Sequence, residues 1–186
     1  MKRAEFANAQ IRGLPIDHYH ASSYYVQVIS AGHDTTSATT AGGLLALIQN
    51  PREWQQLKAD PSLLNAAVEE MIRWVSPVKH FFRTASADTQ LRGQAIHAGQ
   101  HLFLSYPSAN RDEDVFEDPF NFRIARSPNK HVGFGYGPHI CLGLFLARLE
   151  MQVLFKELLS RVDRFELAGE PAWVETSFVG GLKRLP

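Results

Sequence analysis

Apolar positions recur at steps of three and four through Tyr24, Val28, Ala31, Thr35, Ala38, Gly42, Leu45 and Ile48, and no proline interrupts them. That spacing predicts one long helix over 18–49. From Leu44 to Ile48 the pattern is apolar nearly all round, which suits a helix running through the middle of a larger body. Pro51 marks the start of a short helix ending at Ala59, and Asp60, Pro61 and Ser62 make a break. Leu63, Leu64, Ala67, Val68, Met71, Ile72 and Val75 then predict a helix over about 62–75, stopped by Ser76 and Pro77. Short strands follow at 78–84, 89–91 and 94–97, the last two turning at Arg92 and Gly93, with a strand or helix lead-in at 101–106. Between 110 and 130 all periodicity gives way to Asp, Glu, Pro, Asn and Arg. A patternless stretch of about twenty residues inside a compact domain is commonly functional. A glycine-rich turn at 131–143 leads into an amphipathic helix over about 142–160, with Leu146, Leu149, Met151, Val153, Leu154, Leu158 and Leu159 expected on its buried stripe. Segments 165–167 and 174–179 read as a terminal hairpin. The fold class that results is mainly α with small β-sheets.

Length and composition narrow the function classes. The 186 residues suit one ordinary domain, and 45% apolar with 20% charged residues is a globular composition. Nineteen basic residues cancel nineteen acidic ones, which argues against a nucleic-acid module and against a polybasic membrane binder. No apolar run approaches the roughly 18–20 residues of a spanning helix. The first dozen residues lack the apolar core of a secretory signal. A single cysteine makes no internal disulfide, so a reducing compartment, the cytoplasm, is expected.

That cysteine is the first candidate for chemistry. Cys141 lies in the run Phe134-Gly135-Tyr136-Gly137-Pro138-His139-Ile140-Cys141-Leu142-Gly143, just ahead of the predicted last helix. Free amides and the dipole at a helix N-terminus favour a thiolate. Gly135 and Gly137 allow the tight turn, and Gly143 removes a side chain where a flat ligand could lie against the backbone. Phe-Gly-x-Gly-x-His-x-Cys-x-Gly in this spacing before a helix resembles the haem-ligand loop of the cytochrome P450 family.

Other segments resemble the same family in the same order. Ala31-Gly32-His33-Asp34-Thr35-Thr36 is similar to the oxygen-activating segment of its long central helix. Ala31 and Thr35 are four apart and share a face, whereas Asp34 is rotated off it. A threonine hydroxyl that diverts a carbonyl, beside the weak turn at Gly32, predicts a local opening of the helix there. Glu70-Met71-Ile72-Arg73 resembles the family's Glu-x-x-Arg, common as a bare i,i+3 pair on any helix. Pro119-Phe120-Asn121-Phe122 followed by Arg126 supplies the third member of the family's triad. In that reading Glu70 bridges Arg73 and Arg126 and pins the irregular segment beneath the haem. Arg123 stands where relatives often carry an acidic residue.

The resemblance covers the chain from about residue 8 onwards and matches the C-terminal half of the fold, with the N-terminal helices lying outside it. It implies a haem b (iron protoporphyrin IX) cofactor with Cys141 as the metal ligand. Phe134, Gly135, Gly143, Ala31 and Gly32 would line the haem, and Arg83 and His139 would be its propionate partners. It further implies a monooxygenase that uses O2, with Asp34 and Thr35 delivering protons, and electrons from an iron–sulfur ferredoxin served by an NAD(P)H-dependent reductase. Val78, Lys79, His80, Phe81, Phe178 and Val179 would form the substrate wall. Ser76-Pro77-Val78-Lys79, the run 104–113 and the run 176–181 resemble the bacterial branch that hydroxylates monoterpene alcohols, so the expected substrate is small and apolar. Two alternatives remain open: a peroxide-driven haem-thiolate enzyme, and a non-catalytic partial fold that binds haem weakly or not at all. The acid–alcohol pair Asp34 and Thr35 speaks against the first.

Overall fold

The computed structural model describes residues 9–186, and the chain divides into two compact units between Asp34 and Thr35. In the first unit, strands β1 (Gln10–Ile11) and β2 (Leu14–Pro15) pair antiparallel. Their two-residue turn places Arg12 and Gly13 in the left-handed region, at φ 53° and 80°, the geometry that suits the twist of a tight hairpin. Helix α1 (His18–Gln49) begins in this unit. Asp17 caps it by accepting the His20 amide at 2.9 Å.

The second unit contains the rest of α1, and its core is helical. Helix α2 (Pro51–Ala59) starts on its proline, and a 3-10 turn (Pro61–Leu63), capped by Asp60, leads into α3 (Leu64–Val75). Gly42 and Gly43 let α1 approach α3 closely: a β-carbon on Gly42 would lie 2.7 Å from Val75 Cγ2, and one on Gly43 2.8 Å from Met71 Cγ. Strand β3 (His80–Thr84) runs out to the hairpin of β4 (Thr89–Leu91) and β5 (Gln94–Ile96). Strand β6 (His101–Ser105) returns antiparallel along β3, pairing His80 with Ser105 and Thr84 with His101. A single helical turn, α4 (Tyr106–Ala109), precedes the irregular stretch 110–143, and α5 (Leu144–Arg161) follows it.

Buried side chains from every helical layer meet in one core: Ala46 and Leu47 of α1, Trp54 and Leu57 of α2, and Ala67, Val68, Met71 and Ile72 of α3. Phe122 and Ile124 of the irregular stretch and Met151 and Phe155 of α5 complete it. Trp54 fastens α2 to the chain beyond α5 through its indole N–H, which donates to the Asp163 carbonyl at 2.9 Å, and through an edge contact with Phe165.

Three local expectations are corrected. The last helix buries only part of the predicted stripe: Met151 lies in the core with Leu158 and Leu159 packed against it, Phe155 joins them, and Leu146, Leu149, Val153 and Leu154 are exposed. The helix is apolar on two faces, and periodicity alone does not say which one meets α3. The terminal hairpin forms between β7 (Ala172–Trp173) and β8 (Leu182–Arg184), not between 165–167 and 174–179. The second of those segments bridges instead to the chain just ahead of β3, Val179 pairing with Val78. Helix α1 is unbroken through Gly32 and Thr35. Further along, the Thr39 hydroxyl donates to the Thr35 carbonyl at 2.7 Å. It adds to the ladder without opening it.

Candidate functional site

The loop that carries Cys141 closes on itself. The Cys141 amide donates to the Phe134 carbonyl at 2.9 Å, that of Gly135 to Val132 at 2.8 Å, and that of Ile140 to Gly137 at 3.0 Å. Gly135 and Gly137 sit at φ 72° and 74°, a region strained for any residue with a β-carbon. Gly143 precedes α5, and a β-carbon there would meet only the Cys141 sulfur, at 4.0 Å. The thiol is exposed, and so are the apolar side chains of Ile140, Leu142 and Phe145 around it. Among the described residues no three His, Cys, Asp or Glu side chains converge. One exposed sulfur, a backbone left bare at glycine and an apolar surround fit an iron macrocycle lying flat against the loop.

Behind the loop, α3 presents two adjacent carboxylates. Glu70 is fully buried and accepts from Arg73 at 2.7 and 2.8 Å, and from Arg126 Nε at 3.0 and 3.2 Å. The Arg123 amide at 2.9 Å and the Asn129 amide group at 3.1 Å complete its shell. Both arginines turn their remaining N–H groups on the irregular segment. Arg73 Nη1 donates to the carbonyls of Asn110 and Pro119 at 2.8 and 2.9 Å. Arg126 Nη2 donates to Asp118 and Asn121 at 3.0 and 2.8 Å, and its Nη1 donates to Glu117. A pair worth only tenths of a kcal/mol on an exposed helix is here wholly desolvated, so every charge and N–H needs the partner it has. Arg123 itself points outward, 3.8 and 3.9 Å from Glu117 and Asp118.

Sequence reasoning missed Glu69 and its partners. Arg148 Nε and Nη2 donate to Glu69 at 2.6 and 2.8 Å, and His131 Nε2 donates at 2.9 Å. His131 Nδ1 accepts the Gly133 amide at 3.1 Å, which assigns its proton to Nε2. Burial raises the Glu69 pKa, but the hydrogen bonds from Arg148 and His131 outweigh it and bring the group down to about 2. Asn110 was missed as well. Fully buried, it donates to Ser76 Oγ and accepts the Val132 amide, each at 2.8 Å, and so joins the end of α3 to the cysteine loop. An acidic doublet ahead of Glu-x-x-Arg was the legible signal for Glu69. Asn110 had none.

The remaining predicted site residues fall in three places. Ala31, Gly32 and Asp34 are exposed on α1 in the first unit, where the Asp34 carboxylate meets His33 Nδ1 at 2.7 Å; Thr35, half-buried, begins the second unit. In the second unit, backbone hydrogen bonds join the segments that carry the residues of the predicted wall. Lys79 N–H donates to the Phe178 carbonyl and Gly180 N–H to that of Pro77, both at 2.8 Å, and Phe81 stands 5.5 Å from the Phe178 ring. Strand alternation puts His80 and Phe81 on opposite faces of β3, and His80 stacks on Phe103 at 4.7 Å. The Lys79 ammonium is turned onto the Thr176 carbonyl. Gly181 packs on α1, where an added β-carbon would lie 2.7 Å from that of Ala38. Arg83 and His139, both exposed, have no carboxylate within ion-pair reach among the described residues. A shallow cleft lined by Glu113, Phe116, Glu117, Asp118, Pro119, Phe120 and Asn121 includes none of the predicted site residues. No helix among the described residues is long and apolar enough to cross a membrane.

Comparison with known proteins bears on this architecture directly. The family model for cytochrome P450 matches residues 17–172. The chain is 50% identical over 180 residues to cytochrome P450-terp of a Pseudomonas species, which covers 97% of this chain and 42% of that protein. It is 40% identical to linalool 8-monooxygenase of Pseudomonas putida, over 96% of this chain and 44% of the relative. The crystal structure of CYP108D1 from Novosphingobium aromaticivorans superposes with a TM-score of 0.92 at 52% identity, over 98% of this chain and 44% of that one. The chain thus spans less than half the length of these relatives. A match that runs through the central helix, the buried Glu70 network and the cysteine loop together makes this chain a member of the cytochrome P450 family, corresponding to part of its fold.

Proposed function

We propose that this chain is the part of a haem-thiolate monooxygenase that holds the iron ligand, and that the observation carrying this reading is the exposed Cys141 in its glycine-framed loop ahead of α5. Cys141 would bind the iron of haem b, Phe134, Gly135, Gly143, Ala31 and Gly32 would line the haem, and Arg83 and His139 would pair with its propionates. Hydrogen-bond donors without a carboxylate neighbour are suited to that role. The bound haem supplies reductive activation of O2 and transfer of one oxygen atom to a C–H bond. Thr35 holds a proton on its hydroxyl near the reacting oxygen, and Asp34 replenishes it through its carboxylate. The strand start at Val78, Lys79, His80 and Phe81, with Phe178 and Val179, orients a small apolar substrate and keeps water from it.

The relatives named P450-terp and linalool 8-monooxygenase support a monoterpene alcohol as that substrate. A ferredoxin and its reductase would supply the electrons. The test is the carbon-monoxide spectrum of the reduced, haem-loaded protein. A strongly red-shifted thiolate band that disappears in Cys141→His is expected. A band that survives the substitution refutes the assignment.

A further inference from the structure

The contacts around Phe134 form a continuous path from α3 to the cysteine. Arg148, two helical turns along from Cys141, holds its guanidinium carbon 4.6 Å from the centre of the Phe134 ring. Its Nε and Nη2 are engaged by Glu69 at 2.6 and 2.8 Å. His131, on the same carboxylate at 2.9 Å, has its ring 6.0 Å from that of Phe134. Phe134 in turn accepts the Cys141 amide at 2.9 Å. The fork of Arg148 is used on one side for two parallel hydrogen bonds, and its flat face for the aromatic ring, a combination that lysine does not offer. Hydrogen bonding to Glu69 is the main cause that raises the Arg148 pKa against its burial, and the charge of Cys141 adds to the same direction. A tie between α5 and α3 needs only the Glu69 pair. The stacking on Phe134, whose carbonyl accepts the Cys141 amide, goes further.

We propose that Arg148 is a positioning residue for the cysteine ligand: anchored by Glu69, it clamps Phe134, whose carbonyl takes the Cys141 amide, and its positive charge tunes how strongly the sulfur donates to a bound iron. The proposal rests on the haem-thiolate reading. A fixed cation near the ligand stabilises the more electron-rich, reduced state of the site, and a nearby anion opposes it. The two members of the pair therefore act on the iron with opposite sign, which a purely mechanical tie does not.

Redox potentiometry of the haem-loaded protein tests this, in the parent and in Arg148→Met, Arg148→Lys and Glu69→Gln, with the carbon-monoxide band and the melting temperature recorded alongside. The expected result is a lower midpoint potential in Arg148→Met, a higher one in Glu69→Gln, and a value near the parent in Arg148→Lys, which keeps the charge. Melting temperatures fall in all three. Unmoved potentials, or shifts of the same sign in Arg148→Met and Glu69→Gln, overturn the proposal. Should Arg148→Met not hold haem, an unmoved potential in Glu69→Gln overturns it as well. Failure of the underlying reading shows separately, as absence of a thiolate-type band in the parent protein.

Discussion

Glu69 and Glu70 are neighbours on α3, and their carboxylates hold different parts of the chain. Glu70 takes Arg73, Arg126, Asn129 and the Arg123 amide, and so anchors the irregular segment from Asn110 to beyond Arg126. Glu69, turned by about 100° around the helix, takes His131 and Arg148, and so anchors the cysteine loop and α5. Asn110 links the two systems, since its carbonyl accepts from Arg73 while its side chain accepts the Val132 amide. The second unit is therefore organised around one helix from which its patternless segments hang.

Loss of the Glu70 charge should be severe. Glu70→Gln leaves two buried guanidinium groups facing a neutral amide, and breaking a buried pair in this way costs about 3–5 kcal/mol. Chemical denaturation of the parent and the variant measures it. A loss below about 1 kcal/mol, the range of exposed pairs, would mean that the network is hydrated in solution.

Acid should act through Glu69. Its pKa falls from the ordinary 4.5 in the unfolded chain to about 2 in the folded one, because the bonds from Arg148 and His131 outweigh burial. A depressed carboxyl pKa contributes stability that is fully present above 4.5 and is lost as pH falls from 4.5 through about 2. The difference in denaturation midpoint between the parent and Glu69→Gln should accordingly be constant near neutrality and shrink across that window. A difference independent of pH down to its lower edge would contradict the assignment.

The helices and the cysteine loop were legible because each rests on a local rule. Spacing marked α1, Pro51 marked α2, and the glycines at 135, 137 and 143 marked the loop before α5. What was not legible depends on partners distant in sequence. Leu149 and Val153 read as core because α5 is apolar on two faces, and only contact with α3 selects the face carrying Met151 and Phe155. The pairing of Val78 with Val179, across about a hundred residues, is likewise invisible to a period-two pattern, so the terminal hairpin was assigned to the wrong strands. Asn110 looks like any turn residue until Ser76 and Val132 are brought to it.

The glycines on α1 are not equivalent. Gly42→Ala and Gly43→Ala drive a methyl group into Val75 and Met71 at 2.7 and 2.8 Å, and overpacking of this kind costs about 1–3 kcal/mol. Gly32→Ala meets nothing within 4 Å and should stabilise the helix by about 0.5–1 kcal/mol. Thermal unfolding of the three variants gives the order directly. Equal effects at Gly32 and Gly43 would show that α1 and α3 are not in close contact.

Thr35→Ala tests the proposed proton delivery. With ligation and the substrate wall untouched, haem and substrate binding should stay near parent levels while electrons are diverted into hydrogen peroxide. The ratio of product formed to NAD(P)H consumed is the quantity to follow, and it should drop several-fold. An unchanged ratio would remove Thr35 from the relay and leave it an ordinary helix residue.

The two faces of α5 should respond in opposite ways. Leu142, just ahead of the helix, and Phe145, Leu146, Leu149 and Val153 on it lie at helical spacing along one side, exposed by 84%, 79%, 59%, 55% and 56%. Met151 and Phe155, on the other side, are 1% and 0% exposed. Met151→Ala and Phe155→Ala remove core volume, which costs about 2–5 and 3–5 kcal/mol respectively. Leu149→Gln and Val153→Gln act on half-exposed side chains and should change stability by less than about 0.5 kcal/mol. A contiguous exposed apolar face promotes association, so these two polar substitutions should also reduce binding of a hydrophobic dye and self-association of the 186-residue chain in sedimentation. Had the Leu149 and Val153 side been the buried one, the order would be reversed, with Leu149→Gln and Val153→Gln unfolding the chain and Phe155→Ala tolerated. Denaturation of the four variants side by side distinguishes the two arrangements.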